Sequence, residues 1–297
     1  MSELITVGIQ AEAPSSYHEM AVELLFPNTA IELVRIGTFP ALYDAIESKN
    51  GQADRFPTGL DYIVAAEQST AMKRWVHRST DQLFRPDRNL YVHRRAWLRV
   101  PLGLVAASST LTLEMLQNPD YGKKVYVHTQ EEALEQCEDA LTKLLPNAKK
   151  IYENDSAGAV QEIASGSLNG GYHIAIAGPA AAKANGGFYM GRQLNHQNAA
   201  TSFVLISRQP AHNPKATKSL IIVTEKEDYP GSLAAIQSAF TGSAEEEDRI
   251  NLSSINSQPT ETIGRYRFIL EAEKGMQKSS MQAAVASIRA QGHDVRV

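Results

Sequence analysis

Cysteine is nearly absent from this chain, and long hydrophobic runs are missing. One cysteine, Cys137, among 297 residues excludes an intramolecular disulfide framework and a metal site built from several cysteines, and it fits a reducing compartment. No apolar run approaches the roughly 20 residues that span a bilayer. The N-terminus lacks the basic segment followed by an apolar one that marks a signal peptide. We therefore expect a cytoplasmic protein without a membrane partner.

The chain also lacks an excess of positive charge. It has 29 Lys and Arg against 33 Asp and Glu, which gives a formal net charge of −4. Proteins that bind nucleic acid are usually basic, so we expect no nucleic-acid partner. No His, Cys and Asp cluster has the spacing of metal ligands, and we expect neither metal nor cofactor. The length is enough for one large domain or two to three small ones.

Strand-like and helix-like segments alternate through the first two thirds of the chain. Apolar runs at 4–9, 30–36, 61–65, 101–108 and 203–206 predict strands, and periodicity at 17–26 and 38–48 predicts helices. This alternation is typical of an α/β unit with parallel sheets. Ligands of such sheets bind beyond the carboxyl ends of the strands.

A polar patch runs directly into the last of these strands. Asn198, Thr201 and Ser202 precede or open the Phe-Val-Leu-Ile run at 203–206. Polar side chains at the head of a buried strand are held rigidly and can point into a cleft. Spacing alone favours the simpler interpretation, a loop-to-strand junction whose hydroxyl groups satisfy local backbone groups.

The loop before the first predicted helix contains two adjacent serines. Ser15 or Ser16 could cap that helix, and Glu19 stands three residues after Ser16, as in a capping box. The free N–H groups of a helix start also form a general anion site. We therefore count both serines as candidates for ligand binding.

Residues 67–74 combine polar and basic side chains behind the strand at 61–65. Glu67, Gln68 and Ser69 come just after that strand, and Lys73 and Arg74 follow them. A run of charges is commonly a solvated helix face, so the basic pair has a structural interpretation as well as a functional one.

A segment with Pro210 and Pro214 predicts a boundary between a domain at 1–209 and a domain at 217–297. Behind it, strands are predicted at 218–224, 250–257, 266–273 and 295–297, and helices at 231–240 and 279–291. This βαββαβ order is the ferredoxin-like arrangement.

Together, these motifs resemble those of the prephenate dehydratase family, in the same order along the chain. The segment at 199–203 is similar to the family's Asn-x-Thr-Arg-Phe motif and keeps Thr201 and Phe203. Other matching positions are Ser15 and Ser16 in the first loop, Glu67 and Ser69 in Pro-Ile-Glu-Asn-Ser, His128, Gln136 and Cys137 in His-Pro-Gln-Ala-Leu-Ala-Gln-Cys, and Ser156 in Ser-Thr-Ala. The departures are Ala199 for Asn, Ser202 for Arg, Gln68 for Asn, and Met72, Lys73 and Arg74 in place of a small Gly-Ser-Val turn.

The resemblance implies a two-lobed, periplasmic-binding-protein-like catalytic domain with a cleft between its lobes. Its activity would be that of a lyase of phenylalanine biosynthesis, which converts the dicarboxylate prephenate to phenylpyruvate with loss of water and carbon dioxide. Thr201 would lie at the leaving hydroxyl, within a catalytic motif that includes Ser202 and Phe203. The substrate-binding residues implied are Ser15, Ser16, Glu67, Gln68, Ser69, Lys73, Arg74 and Ser156, with the two basic residues supplying the charge that Ser202 lacks.

The C-terminal segment resembles an ACT regulatory domain. Residues 230–233 look like its Gly-Ala-Leu turn, and residues 256–259 look like the Glu-Ser-Arg-Pro motif without its two charges. The effector-binding residues implied are Pro230, Gly231, Ser232, Leu233, Asn256, Ser257, Gln258 and Pro259. The resemblance also implies an amino-acid effector and a homodimer or homotetramer.

The missing arginine leaves three interpretations of the activity open. Loss of a charge-assisted contact to a carboxylate costs roughly 1.5–3 kcal/mol. The chain could be a divergent dehydratase, or a related enzyme that gives a different product by decarboxylation without aromatisation. It could also be a non-catalytic sensor of small molecules.

Overall fold

The computed structural model describes residues 4–48, 59–119, 124–211, 213–227, 229–242, 246–260, 262–263 and 265–297. The chain divides into two compact units, Met1–Pro210 and Ala211–Val297. None of the helices in these described ranges is long and apolar enough to cross a membrane.

The first unit begins with strands and helices that alternate, as the sequence pattern predicts. Its elements are β1 Ile5–Gln10, α1 Tyr17–Leu25, β2 Ile31–Ile36, α2 Phe39–Glu47, β3 Tyr62–Ser69, β4 Arg74–Trp75, α3 His77–Leu83, β5 Tyr91–Arg99, β6 Gly103–Ala106, α4 Leu113–Gln117, β7 Lys124–Thr129, α5 Glu131–Leu144, β8 Lys149–Tyr152, α6 Ser156–Ala164, β9 Gly171–Ala177, α7 Pro179–Ala184, β10 Phe188–Gln193 and β11 Ala200–Ser207.

These strands form two sheets, which define two lobes. The first lobe (residues 4–99 and 200–210) contains the sheet β2-β1-β3-β11-β5, with β4 paired to β3; the second lobe (residues 103–193) contains β10-β6-β9-β7-β8. The prediction of parallel sheets is wrong, because both sheets are mixed. β11 returns from the second lobe and inserts antiparallel between β3 and β5, and β6 is antiparallel to β9 and β10.

The chain crosses between the lobes twice, and the buried Asn195 ties the two crossings together. Its side-chain amide donates to the Val100 carbonyl at 2.7 Å, and its Oδ1 accepts the Leu102 N–H at 3.0 Å. The amide also lies 3.3 Å from Oε1 of Gln136 in α5. The side chain of Asn195, in the second crossing, therefore satisfies two backbone polar groups of the first crossing.

β11 lies in the middle of the first sheet and is covered on both faces. Phe203, Val204, Leu205 and Ile206 are all at most 4% exposed, which explains why this strand is a continuous apolar run instead of an alternating one. In the second lobe, α5 packs Leu134, Cys137 and Leu141 into the core. Burial raises the pKa of the Cys137 thiol to about 12, so this cysteine is an inert core residue, as expected.

The second unit has the βαββαβ order that the sequence predicts. Its elements are β12 Ser219–Thr224, α8 Ser232–Thr241, a 3₁₀ turn at Glu246–Asp248, β13 Leu252–Pro259, β14 Tyr266–Ala272, α9 Ser279–Ala290 and β15 Asp294–Arg296. The sheet order is β13-β14-β12-β15, and every pairing is antiparallel. Ile236 and Phe240 of α8 and Val285 and Ile288 of α9 share one core with inward residues of the sheet.

Candidate functional site

A cavity of about 690 Å³, open to solvent, lies between the two lobes of the first unit. Its first-lobe wall contains Thr201 and Phe203 of β11 and Ser69 of β3, and its second-lobe wall contains residues at the starts of α5 and α6. Apolar crossing residues such as Val100 and Leu102 form its floor. The cleft thus combines hydroxyl groups with a largely apolar surface, as small-molecule sites commonly do.

Thr201 and Ser69 are direct partners across the β11–β3 pairing. Both are buried, at 7% and 3% exposure, and both line the cavity. Phe203 lies on the same face of β11 as Thr201, two residues further along, and its ring contacts His18 edge-on, with the ring centroids 5.0 Å apart. The structure therefore brings together two hydroxyls that are 132 positions apart in the sequence.

Ser202, Glu67 and Gln68 do not line this cavity, so the assignment of these three residues to the substrate is not supported. Ser202 is fully buried; its hydroxyl donates to Glu67 Oε2 at 2.9 Å and accepts the Gln68 N–H at 3.0 Å. Arg95 of β5 pairs with the same carboxylate, with 2.6 Å between its Nε and Glu67 Oε2. Consecutive strand residues point to opposite faces, so Ser202 faces away from the cleft that Thr201 lines.

The register of β11 against β3 shifts between Ser202 and Phe203. Ser202 is opposite Gln68 and Phe203 is opposite Ala66, so Glu67 is the extra residue of a β-bulge. The Arg95 guanidinium therefore lies beside Ser202, the position that carries Arg in the resembled family. It is already paired with the Glu67 carboxylate inside the protein.

The loop before α1 places Ser15 and Ser16 on the cavity wall. Ser16 is the N-cap of α1, and its hydroxyl accepts the Glu19 N–H at 3.2 Å. The Glu19 carboxylate accepts the N–H of Ser15, the residue before the cap, at 2.7 Å. The predicted cap by Ser16 is confirmed, but the carboxylate reaches one residue further back than in a capping box. Ser15 has a left-handed backbone, with φ of 61°.

Lys73 and Arg74 lie outside the cavity. Lys73 is an exposed turn residue with φ of 52°. Arg74 pairs with Glu135 of α5, with 3.2 Å between its Nε and Glu135 Oε1. The hypothesis that this pair replaces the missing arginine is therefore not supported: Arg74 links the two lobes, and its charge is already neutralised.

Asp155, and not Ser156, caps α6. The Asp155 carboxylate accepts the N–H groups of Ala157 at 2.7 Å and Gly158 at 2.8 Å, as well as that of Glu12 from the first lobe. Burial raises the pKa of the Asp155 carboxyl, and the three N–H groups oppose that shift. Ser156 follows this cap and lines the cavity, where the resemblance to the family's Ser-Thr-Ala turn places it.

Four titratable side chains lie among the described cavity-lining residues: Tyr17, His18, Glu132 and Asp155. This described lining contains no Lys or Arg. Burial lowers the pKa of His18 to about 3, so the imidazole is neutral at physiological pH. Among the described lining residues, therefore, no protein cation is present to pair with a carboxylate ligand.

Glu132 was not anticipated from the sequence. It lies in the first turn of α5, and both of its carboxyl oxygens are buried without a hydrogen-bond partner among the described residues. The Arg78 guanidinium is 3.8 Å from its Oε2. Burial raises the pKa of the carboxyl, although the backbone N–H of the same residue and then Arg78 oppose the shift. The available sequence signal was that Glu132 precedes Gln136, a residue that matches the family motif, by four positions. Residues at this spacing share one face of a helix, and both side chains line the cavity.

No group of three or more His, Cys, Asp or Glu side chains in the described ranges could hold a metal ion.

A family model described as prephenate dehydratase matches residues 13–211. The chain belongs to the prephenate dehydratase family. The match covers the two-lobed mixed α/β unit from the loop before α1 onwards.

Two curated prephenate dehydratases are similar to this member of the family. The protein of Mycolicibacterium vanbaalenii is 31% identical over 159 residues, which are 51% of this chain and 47% of that protein. The Bacillus subtilis protein is 28% identical over 187 residues, 59% of this chain and 61% of that protein. The chain thus matches about half to three fifths of the length of these relatives.

Several solved structures have the same fold. One is the prephenate dehydratase of Arthrobacter aurescens in complex with L-Phe. Its TM-score is 0.74 at 20% identity, and the match covers 96% of this chain and 86% of that one. The prephenate dehydratase of Staphylococcus aureus has a TM-score of 0.69, 18% identity, and coverage of 99% and 98%. A protein described as a novel type of quorum quenching acylase also has a TM-score of 0.69, at 18% identity, with coverage of 98% and 96%. At these identities the likeness shows the fold alone.

In the second unit, β12 and β13 end at the same end of the sheet; one predicted effector segment follows β12, and the other forms the last four residues of β13. Thr224, the last residue of β12, pairs with Arg267 of β14, which also pairs with Gln258 of β13. Gly231 caps α8 with a left-handed φ of 95°, a conformation that favours glycine. The positions from the first segment are Pro230, Gly231, Ser232 and Leu233, with Ser232 buried; those from edge strand β13 are Asn256, Ser257, Gln258 and Pro259.

Proposed function

We propose that the protein is a dehydratase-like lyase that acts on prephenate or a closely similar cyclic dicarboxylate. The supporting observation is the pair formed by Thr201 and Ser69, which face each other across β11 and β3 at the wall of the cleft. Family membership over residues 13–211 supports the same reaction class. The product would be phenylpyruvate, formed with loss of water and carbon dioxide.

The residues of the cleft suit a ring with polar substituents. Phe203, Val100 and Leu102 form an apolar surface that excludes water from the ring. The hydroxyls of Ser15, Ser16, Ser69 and Ser156 offer neutral hydrogen bonds to carboxylates. Neutral donors hold a carboxylate less strongly than an arginine does, so we expect weaker substrate binding than a guanidinium would give. The Thr201 hydroxyl orients the leaving hydroxyl of the substrate.

The test is incubation of the purified protein with prephenate, during which substrate loss and phenylpyruvate absorbance are followed together. We expect both signals to change in equal amounts. Prephenate that disappears without phenylpyruvate would instead indicate decarboxylation without aromatisation, and prephenate that persists would contradict lyase activity altogether.

One observation favours a second candidate, a non-catalytic sensor. The described lining of the cleft holds the carboxyl groups of Glu132 and Asp155 and no cationic side chain, which is unfavourable for a dianion. A sensor would take a less acidic ligand. Calorimetric binding of small organic acids and amino acids to a protein without turnover would select this alternative.

We further propose that the second unit is an ACT regulatory domain that binds an amino acid and assembles the chain into a homodimer or homotetramer. Support comes from its βαββαβ order and from the ends of β12 and β13, which lie at the same end of the sheet, the first shortly before residues 230–233 and the second at residues 256–259. Because Asn256 and Gln258 carry no charge, we expect phenylalanine to bind weakly. Light scattering that finds a monomer, or calorimetry that finds submicromolar phenylalanine affinity, would contradict the assembly and the weakened site, respectively.

A further inference from the structure

Expulsion of a hydroxyl group as water requires a proton, and three of the four titratable groups in the cleft are poor sources of one. The Tyr17 hydroxyl donates to the Pro101 carbonyl at 2.6 Å, and burial raises its pKa further. The Asp155 carboxylate is occupied by three backbone N–H groups. His18 is neutral and lies edge-on against Phe203.

Glu132 differs from these groups because its carboxyl oxygens have no hydrogen-bond partner among the described residues. Its side chain is 13% exposed, and both oxygens are buried. The charged groups that face it are Arg78 of α3, at 3.8 Å, and the neighbouring Glu131 and Glu135 of α5. A buried carboxyl beside two further carboxylates favours its protonated form, and its elevated pKa agrees with this arrangement.

We propose that Glu132 is the general acid of the cleft and donates the proton with which the ring hydroxyl of the substrate leaves. This inference rests on the proposed lyase function. The ring carbon–oxygen bond breaks, and the hydroxyl takes the Glu132 proton and departs as water. The electron pair of the bond to the ring carboxylate enters the ring, carbon dioxide leaves, and the ring becomes aromatic. Glu132 then regains a proton from solvent.

This role divides the work between the two walls of the cleft. A threonine hydroxyl is a far weaker acid than a carboxylic acid, so Thr201 on the first-lobe wall orients the leaving group while Glu132 on the second-lobe wall supplies the proton. A protonated Glu132 also removes a negative charge from a cavity in which the described lining has no cation. The same protonation state thus favours both the binding of a dianion and its reaction.

The test compares Glu132→Gln with Glu131→Gln. Glutamine keeps the size of the side chain but cannot deliver a proton, and Glu131 is the exposed neighbour that lies the same 3.8 Å from Arg78. We expect Glu132→Gln to lower kcat for prephenate by at least about a hundredfold, with KM changed by less than about threefold and a thermal midpoint at or above that of the wild type. Glu131→Gln should leave both kinetic constants unchanged.

The pH profile separates proton donation from a packing role. The wild-type kcat should fall as pH rises through the pKa of Glu132, and the residual activity of Glu132→Gln should lack that alkaline limb. Two results would overturn the inference and leave the proposed function standing. In the first, the wild type turns over prephenate and Glu132→Gln is equally active. In the second, the fall of kcat at alkaline pH survives the substitution. A wild-type protein without turnover would overturn both.

Discussion

Glu67 in β3 and Glu132 in α5 are both largely buried carboxylates of the first unit, but their surroundings differ. Glu67 accepts a hydrogen bond from Ser202 and pairs with Arg95 at 2.6 Å. Glu132 has no hydrogen-bond partner among the described residues, and the Arg78 guanidinium lies 3.8 Å away. The comparison teaches that an acidic residue kept within a family motif can serve the fold, while a carboxyl that lines the cleft comes from a position that the motif match does not cover.

Removal of the charge that neutralises Glu67 should have the largest effect. We expect Arg95→Met to reduce the free energy of unfolding by roughly 3–5 kcal/mol, because it leaves a fully buried carboxylate without its cation. Denaturant titration measures the change. Arg99→Met, an exposed site on the same strand, is the matched control and should cost less than about 1 kcal/mol. An Arg95→Met protein as stable as wild type would show that the ion pair is not structural.

Thr201 and Ser202 are adjacent hydroxyl residues on opposite faces of β11, and they offer a paired test of the cleft. We expect Thr201→Val to lower prephenate turnover at least tenfold, equivalent to 1.36 kcal/mol of activation free energy, with the thermal midpoint retained. Ser202→Ala should instead lower the free energy of unfolding by about 1–3 kcal/mol, since it leaves the Glu67 carboxylate and the Gln68 N–H without a partner, and should spare turnover. Reversed effects would place Ser202 in the cleft and remove Thr201 from it.

Glu132→Gln should stabilise the protein, and the gain should grow with pH. Because the pKa of the Glu132 carboxyl is raised in the folded state, ionisation favours the unfolded chain once pH exceeds the ordinary glutamate value. The cost to the wild type therefore increases as pH rises towards the folded pKa and is constant above it. Thermal midpoints of both proteins at acidic and neutral pH measure the difference. A constant difference across that range would show that Glu132 has an ordinary pKa.

Arg74→Ala should have the smallest effect. Its ion pair with Glu135 is about 40% exposed on each side, and such pairs contribute about 1 kcal/mol or less. We expect prephenate affinity and its salt dependence to remain at wild-type values, because Arg74 does not line the cavity. Weaker, less salt-sensitive binding in this variant would return Arg74 to the substrate site.

The sequence predicts the parts of the cleft that depend on local order. The apolar run at Phe203, the capped start of α1 and the position of Ser69 behind a strand all follow from patterns of a few residues. The period of a strand also determines that Thr201 and Ser202 cannot line the same face, a consequence that the motif resemblance obscured.

The remaining features depend on contacts between distant segments. β5 was not predicted, because its sequence at 91–99 contains three arginines and lacks a clean apolar alternation, as edge strands often do. The pairing of Arg95 with Glu67 requires β11 to lie between their strands, and the bulge at Glu67 has no short-range signature. The sequence indicates that Glu132 lies in a helix, but the burial of its side chain depends on the lobe across the cleft.

The central position of β11 has a consequence for how the chain is made. β5 pairs with β11 in the described sheet, yet about a hundred residues separate their sequences, and the whole second lobe is synthesised between them. A nascent chain would therefore expose β5 and one edge of β3 until residues 200–207 emerge from the ribosome. The second lobe is contiguous and can form first, so translation order and assembly order differ in this unit. Truncation before residue 200 should yield a first lobe that cannot complete its sheet.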